Sequence, residues 1–119
     1  MKRSIGELFV SKVLRNIGVC YFQDMSIDGL RGVKNGILKF DFVIPSTDGR
    51  KVIIEYNGIF HYHVIQGKTT LSTLAKQQMN DVIKNDYCIR NKIPILWIPY
   101  WLNNKEVKKE VEMFLHKYM

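Results

Sequence analysis

Ile37-Leu38-Lys39-Phe40-Asp41-Phe42-Val43-Ile44, then Pro45-Ser46-Thr47-Asp48-Gly49-Arg50, then Lys51-Val52-Ile53-Ile54-Glu55-Tyr56 is the stretch that decides how this chain folds. Two runs rich in β-branched and aromatic residues flank a proline and an Asp-Gly pair. The runs favour strands and the connector supplies turn chemistry, so the segment reads as an antiparallel hairpin. One carboxylate interrupts each run, Asp41 in the first and Glu55 in the second. Strand side chains alternate, which puts Lys39, Asp41 and Val43 on one face, and Ile53, Glu55 and Asn57 on one face of the partner strand. In a hairpin these faces converge.

Upstream, Ser4-Ile5-Gly6-Glu7 has capping-box spacing, and Ile5, Leu8, Phe9, Val13 and Ile17 recur at helical intervals. A helix over residues 5–17 follows, stopped by Gly18. Val19 to Met25 reads as a short strand, and Asp28-Gly29, Gly32 and Asn35-Gly36 mark a turn-rich loop. Downstream, no proline or glycine occurs from Thr69 to about Lys92, where Leu71, Leu74, Ala75, Met79, Val82 and Ile83 keep a helical rhythm. Pro94 ends that long helix, Ile95 to Ile98 is an apolar strand, and residues 104–118 form a last helix on Val107, Val111, Phe114 and Leu115. The order is α-β-β-β-α-β-α. A hairpin feeding a helical crossover implies an α/β fold with a mixed central sheet flanked by helices. At 119 residues the chain is expected to be one domain.

Lysine and arginine number 18 against 11 aspartate and glutamate, a net charge of +7. That balance suits a polyanionic partner, although it also serves solubility alone. Cys20 and Cys88 form no CxxC pair, so nothing points to structural zinc. No apolar run approaches a membrane span, and the expectation is an untargeted cytoplasmic protein with no membrane partner.

A carboxylate inside an apolar strand needs a partner charge, a dense hydrogen-bond set or a metal. Two brought together repel, and a hard cation such as Mg²⁺ relieves this by taking carboxylate oxygens, a carbonyl and waters. Phosphate-ester cleavage is a natural use, since the ion lowers the pKa of an attacking water. The alternative is a pair of strand-end carboxylates facing solvent or bonded to loop amides.

Phe40-Asp41-Phe42, the hairpin, and Ile53-Ile54-Glu55-Tyr56-Asn57-Gly58 followed by His61 resemble the active-site hairpin of the PD-(D/E)XK nuclease superfamily (restriction-endonuclease-like). The element order matches that family's core, from Ser4 through about Tyr100. The resemblance is strongest to small phage and bacterial members related to very-short-patch-repair nucleases and some homing endonucleases. It implies Mg²⁺, with Mn²⁺ as substitute, on Asp41 and Glu55, with the Tyr56 backbone carbonyl as a further ligand. Glu7, on the first helix, would hold a coordinated water. The capping box makes a competing claim on the same carboxylate.

The sequence departs from the family where a lysine is expected two residues after Glu55. That position is Asn57, which can place a water but carries no charge. Lys84 is the candidate replacement, because Gln77, Asp81, Lys84 and Cys88 form one helical stripe that can face the hairpin. The competing reading is an exposed Asp81–Lys84 ion pair. His61 is either a proton-transfer group or structural, and His63 is the weaker candidate. Tyr100 and Trp101 read as core or dimer contacts, or as a surface on which a base stacks.

The catalytic set is therefore Asp41, Glu55, Lys84, His61 and Asn57. Arg31, Lys34 and Lys39 are candidates for nucleic-acid backbone contacts. The expected function is a Mg²⁺-dependent DNA endonuclease that nicks, cuts both strands or cleaves branched DNA. With one site per chain, two-strand cutting implies a homodimer or higher homo-oligomer. The alternatives are a catalytically inactive DNA-binding or interaction module on the same fold, favoured by Asn57, and an RNase.

Overall fold

The protein is described by a computed structural model covering residues 4–119. The elements are α1 (Ile5–Ile17), β1 (Phe22–Met25), β2 (Phe40–Pro45), β3 (Lys51–Asn57), a 3-10 turn (Ile59–His61), α2 (Leu71–Arg90), β4 (Ile95–Pro99) and α3 (Asn104–Tyr118). The four strands lie in the order β1-β2-β3-β4. The pairs β1/β2 and β2/β3 are antiparallel, and β3/β4 is parallel. The expected α/β architecture with a mixed sheet is present.

Two strands start later than the residue pattern suggests. β1 begins at Phe22 rather than Val19, and β2 at Phe40 rather than Ile37. Residues 31–37 instead close a small loop of their own, with Arg31 bridged to Ile37 and the Gly32 N–H donating to the Gly36 carbonyl at 2.9 Å. Asn35 takes the left-handed conformation that such a turn requires (φ 61).

Ser4 caps α1 by accepting the Glu7 N–H at 3.1 Å, and Gly18 closes it in the left-handed region (φ 89). Thr70 and Thr73 form a reciprocal capping box at the start of α2, and Asn103 and Glu106 form one at the start of α3. The α2 box uses threonine where the usual signature has Glu or Gln.

α1 and α3 cover one face of the sheet. Val10, Val13, Leu14, Val107, Val111, Phe114 and Leu115 pack there on Phe42, Ile44, Val52, Ile54 and Ile98. Each such aliphatic side chain contributes about 1.5–3 kcal/mol by leaving water. The other face carries Ile27, Phe40, Val43, Ile53 and Cys88 of α2. Strict alternation would put residues 40 and 43 on opposite faces, so the alternation slips at Asp41. Lys39, Asp41 and Val43 therefore do not form the simple row that the sequence suggests.

α2 turns a polar stripe to the sheet. Its buried residues are Lys84 and Cys88, while Leu71, Met79, Val82 and Ile89 are exposed. Among the described residues no helix is long and apolar enough to cross a membrane.

Candidate active site

The β2/β3 ladder runs from Pro45–Lys51 to Phe42–Ile54 and stops. Beyond that point side chains take over from the backbone. The Asp41 N–H donates to Glu55 Oε2 at 2.5 Å, and the Tyr56 N–H donates to Asp41 Oδ2 at 2.8 Å. Each carboxylate thus holds an amide of the opposite strand where the hairpin opens.

The other oxygen of Glu55 accepts from Lys84 Nζ at 2.5 Å. Glu55 is 2% exposed and Lys84 8%, so this is a buried ion pair. Lys84 Nζ also lies 5.4 Å from the centroid of the Phe40 ring. Burial, and then the charge of Asp41, push the Glu55 carboxyl up to about 8 despite the pull of Lys84. Burial also raises Asp41, against the Tyr56 amide and Lys84, which favour its charged form.

Glu7, Asp24 and Asp41 form a second cluster, with one carboxylate oxygen of each within 4.8 Å of the others. Three elements deliver them. On β1 and β2 the register pairs Gln23 with Phe42 and Met25 with Phe40, passing over Asp24 and Asp41. Asp24 has φ 52, so the strand is locally left-handed there. α1 brings Glu7 because Gly6 packs directly against the Tyr56 ring, in space that any Cβ would share with the ring. Burial and then the Glu7 carboxylate raise the Tyr56 phenol, in keeping with that approach.

This donor set suits a hard divalent ion. Three carboxylate oxygens match the preference of Mg²⁺ or Mn²⁺ for oxygen ligands. At about 2.1 Å per bond an octahedral ion sets its ligand oxygens roughly 3 Å (adjacent) to 4.2 Å (opposite) apart. A spread of up to 4.8 Å then requires only a small closure. Glu55, expected as a ligand with Asp41, lies outside this three-residue group, and its oxygens accept from Lys84 and from the Asp41 amide. Glu7 retains a role in the helix cap, with Ser4 Oγ 3.4 Å from its Oε1, while also facing the cluster.

His61 lies in the 3-10 turn, with Nδ1 2.9 Å from Asp81 Oδ2. Gln77 donates to the other Asp81 oxygen at 3.4 Å, and Gln78 donates to the His61 carbonyl at 3.3 Å. A carboxylate at Nδ1 favours the tautomer protonated there, leaving Nε2 as an acceptor. Asp81 therefore pairs with His61, and the exposed Asp81–Lys84 pair considered from the sequence does not form.

Asn57 is 7% exposed. Its Nδ2 reaches the Tyr62 hydroxyl at 3.4 Å, and its Oδ1 is buried with no hydrogen-bond partner among the described residues. The Tyr62 ring packs at a tilt against Tyr100 and Trp101, with centroids 5.7 and 5.1 Å away, and His63 meets Tyr100 edge-on. Trp101 is 61% exposed, so this aromatic cluster reaches the surface rather than filling the core.

Of the three basic loop candidates, Arg31 donates to the Asn35 carbonyl at 2.6 Å and so braces its own loop, while Lys34 and Lys39 are exposed. Asp24 was not singled out by its sequence. A carboxylate in the short run Phe22-Gln23-Asp24-Met25 looks like the polar face of an edge strand, and only its convergence with Asp41 and Glu7 shows otherwise.

Comparison of the chain with protein-family models, with curated proteins and with solved structures returned no match in any of the three. The residues themselves carry the functional reading.

Proposed function

We propose that the chain is a metal-dependent endonuclease that hydrolyses phosphodiester bonds of DNA, with the PD-(D/E)XK type of active site that its hairpin resembles. The observation that carries this reading is the convergence of Glu7, Asp24 and Asp41 beside the buried Glu55–Lys84 pair. Glu7, Asp24 and Asp41 would hold Mg²⁺ or Mn²⁺, which when bound polarises the phosphoryl group and acidifies an attacking water.

The remaining residues have separable tasks. Glu55 fixes Asp41 through the Asp41 amide, and Lys84 donates to the other Glu55 oxygen. Lys84 also brings a positive charge to the opening of the hairpin, the task that Asn57 cannot perform. Asn57 Oδ1 offers a buried acceptor suited to orienting a water. The Asp81-oriented His61 supplies a proton-transfer group at Nε2.

A noncatalytic nucleic-acid-binding module is the second reading, favoured by the neutral Asn57 and by the commitment of Lys84 to Glu55. Two-strand cutting by a one-site chain would require a homodimer. Incubating wild type and Asp41→Ala with supercoiled plasmid, a branched DNA and an RNA, each with Mg²⁺, Mn²⁺ or EDTA, separates these readings. Metal-dependent cleavage of DNA by wild type alone supports the nuclease, and cleavage confined to RNA makes it an RNase. Binding without cleavage under every ion leaves the noncatalytic module.

A further inference from the structure

We propose that the groove between residues 32–38 and the first half of α2 seats a backbone phosphate of the bound nucleic acid. Lys34 and Lys76 form its walls, and Asn80 fastens the loop that carries Lys34. The groove encloses about 280 Å³, and its lining includes these two lysines and no carboxylate. The lysines come from distant parts of the chain, so the pairing is a product of the fold.

The loop is built before any ligand arrives. Its ends are tied by the Arg31–Ile37 bridge and by the Leu38 N–H to the Leu30 carbonyl at 2.8 Å. Its turn is closed by the Asn35 N–H to the Gly32 carbonyl at 3.0 Å and by Arg31 on the Asn35 carbonyl. Asn80 Oδ1 then accepts the Val33 N–H at 3.0 Å and fastens the loop to α2. Gly32 permits this approach, since a Cβ there would press on the Asn80 side chain and on Leu38. Cations on a pre-ordered support lose less entropy on binding than cations on a mobile loop.

The groove is also aligned with the candidate active site. Lys76, Asn80 and Lys84 follow one another at successive turns on one side of α2. The rise from Lys76 to Lys84 is about 12 Å, or roughly three nucleotides at ~3.4 Å of axis rise per nucleotide. A strand with its reacting phosphate near Lys84 would thus place a phosphate a few nucleotides away in the groove. Of the three cations singled out from the loop sequence only Lys34 lines this groove, and the unanticipated Lys76 completes it.

The inference rests on the proposal that the substrate is a nucleic acid, and the test distinguishes the two failures. Binding of labelled duplex DNA and of duplex RNA is measured in EDTA between 50 and 200 mM salt. The proteins are wild type, Lys34→Ala, Lys76→Ala, Asn80→Asp and the α3 surface control Lys108→Ala. Each groove lysine is expected to weaken binding about fivefold and to lower the slope of log K against log salt by about one, with the control unchanged. Asn80→Asp keeps an acceptor for Val33 but adds a negative charge, so binding should fall while the thermal midpoint holds. Wild-type affinity and salt slope in all three groove variants would overturn the groove alone. Absence of nucleic-acid binding by folded wild type would overturn both proposals.

Discussion

Asp41 and Glu55 are joined by reciprocal strand-to-strand bonds: the Asp41 amide donates to the Glu55 carboxylate, and the Asp41 carboxylate accepts the amide of Tyr56, the residue after Glu55. This clasp sets the proton balance of the metal-free protein. The Glu55 carboxyl moves from an ordinary value of 4.5 to about 8 on folding, through burial and then the Asp41 charge, so folding takes up a proton between those pH values. Its contribution to stability is complete below about pH 4.5 and is lost as pH rises towards 8. In EDTA, the unfolding free energy of wild type minus that of Glu55→Gln should fall as pH increases from 5 to 8. A difference that rises with pH would mean that Lys84 holds Glu55 ionised.

Lys84→Met removes the countercharge that the structure places on the buried Glu55 oxygens. Breaking a buried pair by deleting one partner costs about 3 kcal/mol. That loss should appear near pH 8 and shrink at lower pH, where Glu55 protonates. The double variant Lys84→Met/Glu55→Gln should recover much of it, as read by denaturant unfolding; equal losses in the single and double variants would show that the ion pair is not what stabilises this region.

Gly6→Ala puts a methyl group where the Tyr56 ring lies. The first turn of α1 or the ring must move, and a shift of the turn carries Glu7 with it. The variant should lower stability by about 1–3 kcal/mol through overpacking. It should also weaken Mn²⁺ binding, measured by calorimetry, more than Leu8→Ala does from an exposed position on the same helix.

The two thiols should differ sharply. Cys20 is exposed, whereas Cys88 is fully buried, and burial followed by the Glu55 charge pushes it up to about 11. Iodoacetamide at pH 8 should therefore modify one cysteine in the native protein and two after denaturation. Rapid native labelling of both would contradict the packing of α2 on the sheet.

The hairpin and the helices were legible because their signals are local: β-branched runs about an Asp-Gly turn, a Ser-x-x-Glu cap, and a long stretch free of proline and glycine. The polar stripe containing Lys84 was legible from helical spacing, because a lysine in register with Cys88 stands out. Three features depended on tertiary geometry and left no local trace. Asp24 joins Asp41 only through the β1/β2 register, Asp81 finds His61 twenty residues away, and Glu55 takes Lys84 of α2 as its partner. The slip of alternation at Asp41 was hidden too, since Phe40, Phe42 and Val43 are all apolar and fit either face.

Asp24 reaches the site through the tertiary structure alone. The decisive measurement is plasmid cleavage by wild type and Asp24→Asn across a Mn²⁺ titration, with EDTA as the zero point and thermal melting to show that both proteins are folded. Cleavage by wild type should require the ion, and the variant should show at least a tenfold higher Mn²⁺ requirement or loss of cleavage. Folded wild type that leaves DNA intact at every Mn²⁺ concentration, or an Asp24→Asn protein with the wild-type metal dependence, would contradict it.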